Sequence, residues 1–410
     1  MTTGTTTGQR IRTTRHMRQL SAQQLADRVH VSSNYLLKIE SGARRASRRI
    51  LLDLARALHV GIEVLDGLPD YGEAEGQERA QTIIPDLRRV LLTYDSPDDL
   101  DVTPRALPVL TAEVDQVSAL RRDAAYAEMG PLLPSLVTEL THVALGATGR
   151  DQRRAYWDLA RVYRAVNSLA HKLGHHDLSN TALDRVRWAA DRSGDPLMQV
   201  TAGYLVAGAM LRQGAMDGAR RKLLGLRAEL GRLQSEGCYT ASALAVDGGL
   251  LLKLAIVEAR AGDHAAVRTL LDETREVARM AGDLDVLEYE TSFGPTNIRI
   301  HEVAALLEIG ATEEALARVG EWGRDEGRGL WTPPAGTVGE RASHHWIDLA
   351  AVQLAEGDRH GSFASLQEAR RIAPGHTRFR PQARETVATL VRLDRHSEES
   401  LAGMARWMGA

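Results

Sequence analysis

Between Leu20 and Gly42 the chain has a residue spacing that fits two short helices joined by a tight turn. Ser21 followed three positions later by Gln24 is a capping box, the side-chain signature of a helix start. Leu25, Ala26 and Val29 then fall on one helical face. Val31 closes the turn, and Ser32 or Ser33 caps a second helix whose Leu36 and Ile39 point back at the first. That arrangement leaves Ser33 and Asn34 outward at the start of the second helix, with Lys38 one turn further on.

Short polar groups followed by a cation suit base edges and phosphates in a DNA major groove. Charge points the same way. Up to residue 66 there are eleven Arg and Lys against five acids, a net +6 in a chain that is −3 overall, which leaves −9 for the remainder. A basic head on an acidic body is expected where only the head meets phosphate. Arg44, Arg45, Arg48 and Arg49 follow the second helix directly, placed to grip backbone without reading sequence.

On the pattern Leu20-Ser21, Leu25-Ala26, Val31-Ser32, Ile39-Glu40 and Gly42, residues 8–66 resemble the phage-repressor-like (XRE) helix-turn-helix regulators. The resemblance implies a five-helix DNA-binding domain in which Ser33 and Asn34 read bases. It places Lys38 near bases or backbone, and Gln23, Ser32, Arg44, Arg45 and Arg48 among the further DNA contacts. Two positions depart from the family: His30 stands where glycine is usual, and Gln23 lies one place after the position of the family glutamine, which is Ala22. Histidine tolerates a left-handed backbone better than most residues, at some cost.

At 410 residues and 43% hydrophobic content the chain is long enough for two or three domains with sizeable cores. It has no run of 18 apolar residues and no apolar leader at the N-terminus, so a soluble, cytoplasmic protein with no membrane partner is expected. The single cysteine, Cys238, excludes an internal disulfide and a cysteine-cage metal site. His171, His175 and His176 are separated by the helix breaker Gly174 and do not make a zinc set. No phosphate-binding glycine loop and no catalytic constellation stands out, so neither enzyme activity, cofactor nor metal is expected.

Residues 67–78 carry linker breakers, and Asp and Pro interrupt the helices again at about 94–108. From 109 to 408 nearly every long segment has helical period, and none alternates convincingly as a strand. Within this body a small–apolar–small pattern recurs. Gly357, Ser362, Leu366, Ala369 and Pro374 match the second half of a tetratricopeptide repeat. Weaker copies centre on Ala182 with Val186 and Ala189, Ala219 with Leu223 and Leu226, Ala266 with Leu270, and Ala315 with Val319. The expected fold is therefore all-α: the five-helix head, then a right-handed α-solenoid of degenerate tetratricopeptide-like helix pairs over 79–380. Residues 381–410 are expected to form capping or dimerisation helices, on the apolar set Val387, Leu390, Val391, Leu401, Met404 and Trp407.

If the first helix of each pair lines the concave face, fixed offsets place Arg164, Asn167, His171, Tyr204, Arg212, Asn297, His301, Glu308, His344 and Asp348 in one groove. Side chains that both donate and accept, repeated along a groove, suit an amide-rich ligand such as a peptide. A helix-turn-helix head on such a body resembles the actinobacterial XRE regulators and the RRNPP peptide-pheromone receptors. The likeness implies a regulator whose grip on double-stranded DNA responds to a peptide or small molecule, acting as a homodimer on a palindromic operator. The alternative is an interaction protein whose solenoid binds a small partner protein and whose head tethers it to a promoter.

Overall fold

The computed structural model describes residues 6–44, 46–60, 62–66, 82–96, 102–235, 240–282, 285–393 and 399–408, with the backbone alone at 48, 63, 286, 288 and 399. The linker expected at 67–78, Arg45 and Cys238 lie outside the described residues. No described helix is long and apolar enough to cross a membrane.

The head comprises α1 (Thr7–Met17), α2 (Ala22–Arg28), α3 (Ser33–Glu40), α4 (Arg48–Ala57) and α5 (Ile62–Asp66). Four of these starts are fixed by side chains. Thr6 with Gln9 and Ser21 with Gln24 form capping boxes on α1 and α2, while Ser32 and Ser47 accept the backbone N–H of Tyr35 and Ile50. His30 sits at φ 55°, the left-handed turn residue between α2 and α3. Ile11, Leu25, Leu36, Leu54, Leu58 and Leu65 fill the core. Gly8 allows α1 to close on α3: a Cβ there would lie 2.3 Å from the Ile39 carbonyl oxygen. Beneath them Arg15 Nε and Nη2 donate to the two carboxylate oxygens of Glu40, both at 2.7 Å and both buried.

The body opens with α6 (Ile84–Leu92), α7 (Leu107–Arg122), α8 (Tyr126–Met129) and α9 (Leu133–Gly146). Five antiparallel pairs follow: α10/α11 (Gly149–Lys172, His176–Ser193), α12/α13 (Pro196–Arg212, Met216–Ser235), α14/α15 (Ala241–Ala261, His264–Met280), α16/α17 (Pro295–Glu308, Thr312–Asp325) and α18/α19 (Gly339–Ala355, Arg359–Ile372). The repeat signature falls on the second helix of each pair. Ala182, Val186, Ala189, Ala219, Leu223, Ala315, Val319, Ser362, Leu366 and Ala369 are all buried. On α15 the register is one residue out, with Val267 and Leu271 buried in place of Ala266 and Leu270. Pro374 opens α20 (Pro374–Phe379). The terminal helices α21 (Pro381–Leu393) and α22 (Glu399–Met408) turn Val387, Leu390, Leu401 and Met404 inward onto Ile347 and Leu366, so these apolar groups cover the chain's own last repeat.

Two features depart from the sequence reading. Between α15 and α16 a β-hairpin forms, β1 (Val286–Glu288) antiparallel to β2 (Thr291–Phe293), with Leu287 opposite Ser292. Its strands are too short for a period of two to register, and its turn, Tyr289-Glu290, lacks the usual Asn-Gly signal. Phe293 anchors the base of the hairpin on Gly248 of α14, where a Cβ would lie 1.9 Å from the ring. In addition, the superhelix closes on itself. Gly375 packs on the Ala124 carbonyl, Gly339 on Asp123, and Ala373 joins the hydrophobic core of the first helices. The surface expected as an open groove is thus largely an interior.

Candidate nucleic-acid interface and sensor interior

Because Ser32 is spent on the cap of α3, accepting from Tyr35 N–H at 3.1 Å, the outward face of that helix begins at half-exposed Ser33 and exposed Asn34. Leu37 and Lys38 continue the face one turn later, and Leu37 is 49% exposed. Leu37 escaped the sequence reading because an apolar residue in a helical pattern is normally assigned inward; its signal was the adjacent Leu36, which already holds the inward position. Gln23, exposed on α2, donates to Asp27 at 2.7 Å. Arg44 is exposed with its guanidinium 4.8 Å from the Tyr35 ring centroid, which holds it beside the start of α3. Arg48 begins α4, where only the backbone is described. On α1, Arg12 and His16 line a depression with Leu37, Lys38 and Ser41, adding basic groups to the same side.

The interior of the body is polar, and the first helices supply it. Arg164 of α10 donates to the backbone carbonyls of Tyr289 and Glu290 at 3.1 and 2.8 Å. Asn167 is turned away from that space, its amide donating to the Ser179 carbonyl and hydroxyl at 3.0 and 2.7 Å within the α10/α11 pair. The His171 ring packs 5.4 Å from that of His176. Tyr204 of α12 lies under Lys253 of α14, Nζ 3.7 Å from the ring centroid, with Arg212 beside the same lysine at Gly208. Asn297 donates to the Ser292 carbonyl at 2.6 Å, and its Oδ1 is buried with no partner among the described residues. Its own carbonyl holds His301 Nδ1 at 2.9 Å. Glu308 pairs with Arg260 at 3.0 Å. His344 Nε2 accepts from Arg380 at 2.6 Å and stands 3.6 Å from Asp348.

Several functional-looking groups were not read from sequence. Lys172 and Lys253 are two of only four lysines in the chain, and that scarcity was the available signal. Lys172 Nζ lies 3.1 Å from His376 Nδ1 and 3.7 Å from Glu340, joining α10 to α18 and α20. Burial drives Lys172 down to about 8 despite Glu340. Burial, reinforced by Arg341, drives His301 down to about 3, so it is neutral at ordinary pH. At the hairpin tip, Glu290 accepts from Ser118 Oγ, from Arg121 Nη2 at 3.1 Å and from Arg161 Nε at 3.0 Å. Burial alone would raise its pKa; Arg121, Arg164 and Arg161 outweigh it and hold the carboxyl at about 2. Among the described residues, no three His, Cys, Asp or Glu side chains are placed to hold a metal ion.

A family model described as a helix-turn-helix domain matches residues 7–68. Two HTH-type transcriptional regulators of Mycobacterium tuberculosis, from strains CDC 1551 / Oshkosh and ATCC 25618 / H37Rv, are each 43% identical over 58 residues. That match covers 14% of this chain and 41% of each relative's length. Two solved structures overlap much of the chain at low similarity. Bacillus thuringiensis PlcR, in complex with the peptide PapR7 and DNA, overlaps 68% of this chain and 96% of its own at 16% identity and a TM-score of 0.30. The apo form of the competence regulator ComR from Streptococcus vestibularis overlaps 74% and 99% at 16% identity and a TM-score of 0.25. At these scores the chains do not superpose as wholes. Residues 7–68 thus match a helix-turn-helix domain, whose five helices lie within the described residues 7–66, followed by a body of helical repeats.

Proposed function

We propose that this protein is a sequence-specific, DNA-binding transcriptional regulator whose helical body senses a peptide or small molecule. One observation carries the reading. On a fully capped helix-turn-helix, α3 presents Ser33, Asn34, Leu37 and Lys38 together on its outer face, with Arg44 just beyond. Asn34 pairs with a base edge, Leu37 meets a thymine methyl, and Lys38 and Arg44 meet phosphate or adjacent bases. One such helix reads few bases, so two heads act on a two-fold operator, and the protein works as a dimer in the cytoplasm. The body supports a sensing role through its interior, where half-buried cations and neutral histidines from five first helices face one another. Such groups cost stability when buried, and a ligand repays that cost.

Binding-site selection on genomic DNA with the full-length protein tests this directly. A palindromic motif that Asn34→Ala relaxes at one position in each half-site supports the reading. Arg44→Ala should instead weaken all sites alike and lower the salt slope by about one. Selection that enriches no motif, or equal losses from both variants, would overturn the assignment of base reader and phosphate contact.

A further inference from the structure

The tip of the β-hairpin is bound the way a ligand is bound. It leaves the α15–α16 connection and reaches across the body to α7 and α10, so that Ser118 and Glu290, 172 residues apart in sequence, are in hydrogen-bond contact. There one carboxylate meets three guanidinium groups from two helices: Arg121 at 3.1 Å, Arg161 at 3.0 Å and Arg164 at 4.0 Å. Arg161 Nη2 also donates to Ser118 Oγ at 3.1 Å, which orients the hydroxyl onto the carboxylate. Arg121 and Arg161 are buried, Glu290's side chain is only 7% exposed, and Asp115 and Asp158 balance Arg161 from behind. The groups that meet the carboxylate come from α7 and α10, and the hairpin supplies the anion together with two backbone carbonyls that Arg164 also bonds.

The tip brings contacts of its own beside the carboxylate, and its ring at Tyr289 packs edge-on to Trp157. The turn is Tyr289-Glu290, at φ 48° and 57°, so two residues with side chains both occupy the left-handed region that Asn and Gly favour. Tyr289 adds one hydroxyl bond to Asp195 at 2.8 Å, and Arg164 adds its two bonds to the tip carbonyls. An isolated two-stranded hairpin of three-residue strands contributes little of its own. The tip, with two side-chain-bearing residues in the left-handed region, is docked in a site of three arginines, and Lys253, Arg341 and Lys172 extend positive charge from that site along the interior.

We propose that Ser118, Arg121, Arg161 and Arg164 form a carboxylate-binding site of the sensor interior, occupied in this conformation by the chain's own Glu290. A ligand bearing a carboxylate takes the site by displacing the hairpin tip, so the signal belongs to the acidic class. The proposal rests on the reading of the body as a sensor. It deepens that reading by naming the chemistry the sensor recognises and the segment that moves.

Propionate, which is the glutamate side chain cut at Cβ, is the probe, and propionamide is its neutral control. In full-length Glu290→Ala the vacated site should take up propionate, so tens of millimolar propionate raise its Tm toward wild type while propionamide does not. The preference for the anion should be roughly tenfold or more, and should vanish when Arg121→Ala is added. In the wild-type protein, backbone hydrogen exchange over residues 286–293 should proceed by local opening, faster than in α10 and α14, and should quicken in propionate. Equal effects of propionate and propionamide would overturn the site. Hairpin amides that exchange only with global unfolding would overturn the displacement, and this measurement decides the matter even if Glu290→Ala does not fold. Motif selection on DNA is independent: a protein that selects an operator but shows no propionate preference loses only this site.

Discussion

The head and the body solve the same problem, packing helices around a core, with opposite kinds of information. In the head four helix starts carry a side-chain cap within three residues, and the turn between α2 and α3 rests on the left-handed residue His30. Its internal contacts, such as Gly8 on the Ile39 carbonyl and Arg15 on Glu40, span only a few tens of residues, while Arg56 donates to the Gly214 carbonyl of the body. The body is held at its decisive points by contacts more than 100 residues apart: Ser118 to Glu290, Arg164 to Tyr289, Lys172 to His376. Local information makes a module whose shape is fixed, as a surface that reads DNA must be. In the body, long-range polar contacts join close glycine packing and the buried Ala373 in closing the superhelix, which suits a part that responds.

The largest effect expected from breaking this contrast lies in the head. Removing Glu40 strands Arg15, which is buried under α1 and α3, and an uncompensated buried charge costs about 3–5 kcal/mol. Glu40→Ala should thus unfold the head, seen as loss of hydrogen-exchange protection in α1–α5, while α10–α19 keep theirs. Should protection fall in both regions together, the head and body would be one cooperative unit. Next in size is Gly248→Ala, which drives a methyl into the Phe293 ring and should cost about 1–3 kcal/mol by overpacking. That loss belongs to the body alone, and it should increase exchange over β1 and β2 before any helix is affected.

These differences also explain what was legible in sequence. The cap Ser21, the inward Leu36 and Ile39 and the outward Asn34 are local facts that the structure places as the spacing requires, and of the two candidate caps on α3 it is Ser32 that accepts the bond. The second helix of each body pair was legible for the same reason, since burial recurs at Ala182, Ala219, Ala315 and Ser362. The first-helix polar groups were not equally legible. Asn167 turned out to bond Ser179 inside its own pair, because helical offset gives a face but not what has packed onto it. The hairpin left no trace in periodicity, since its docking depends on Ser118, three arginines and Gly248, scattered between positions 118 and 248.

Acid should sharpen the comparison from the side of the body. Glu290 is held at about 2, below the ordinary 4.5, with Arg121, Arg161, Arg164 and Ser118 around it. A carboxylate with a depressed pKa adds stability that is complete above its unfolded value and is lost as pH falls through the folded one. The Tm difference between wild type and Glu290→Gln should therefore be constant above about pH 5 and shrink between about 4.5 and 2. A difference that persists unchanged to pH 2 would mean that the hairpin is held by Phe293 and Tyr289, with the carboxylate incidental.

The smallest effect is the one most specific to function. Leu37 carries no core contact to lose, being half exposed, so Leu37→Ala should leave the stability of the head within about 0.5 kcal/mol of wild type. Its cost should appear only on DNA. Loss of an apolar contact to a thymine methyl weakens the cognate operator by no more than about 1–3 kcal/mol, confined to one position in each half-site. Replacing that thymine by deoxyuridine, which removes the methyl and nothing else, should produce the same loss with the wild-type protein and no further loss with Leu37→Ala. A full additional loss in the combined experiment would mean that the two groups do not meet. The outward leucine would then be a surface residue like Leu92 or Leu224, and base reading would rest on Ser33, Asn34 and Lys38 alone.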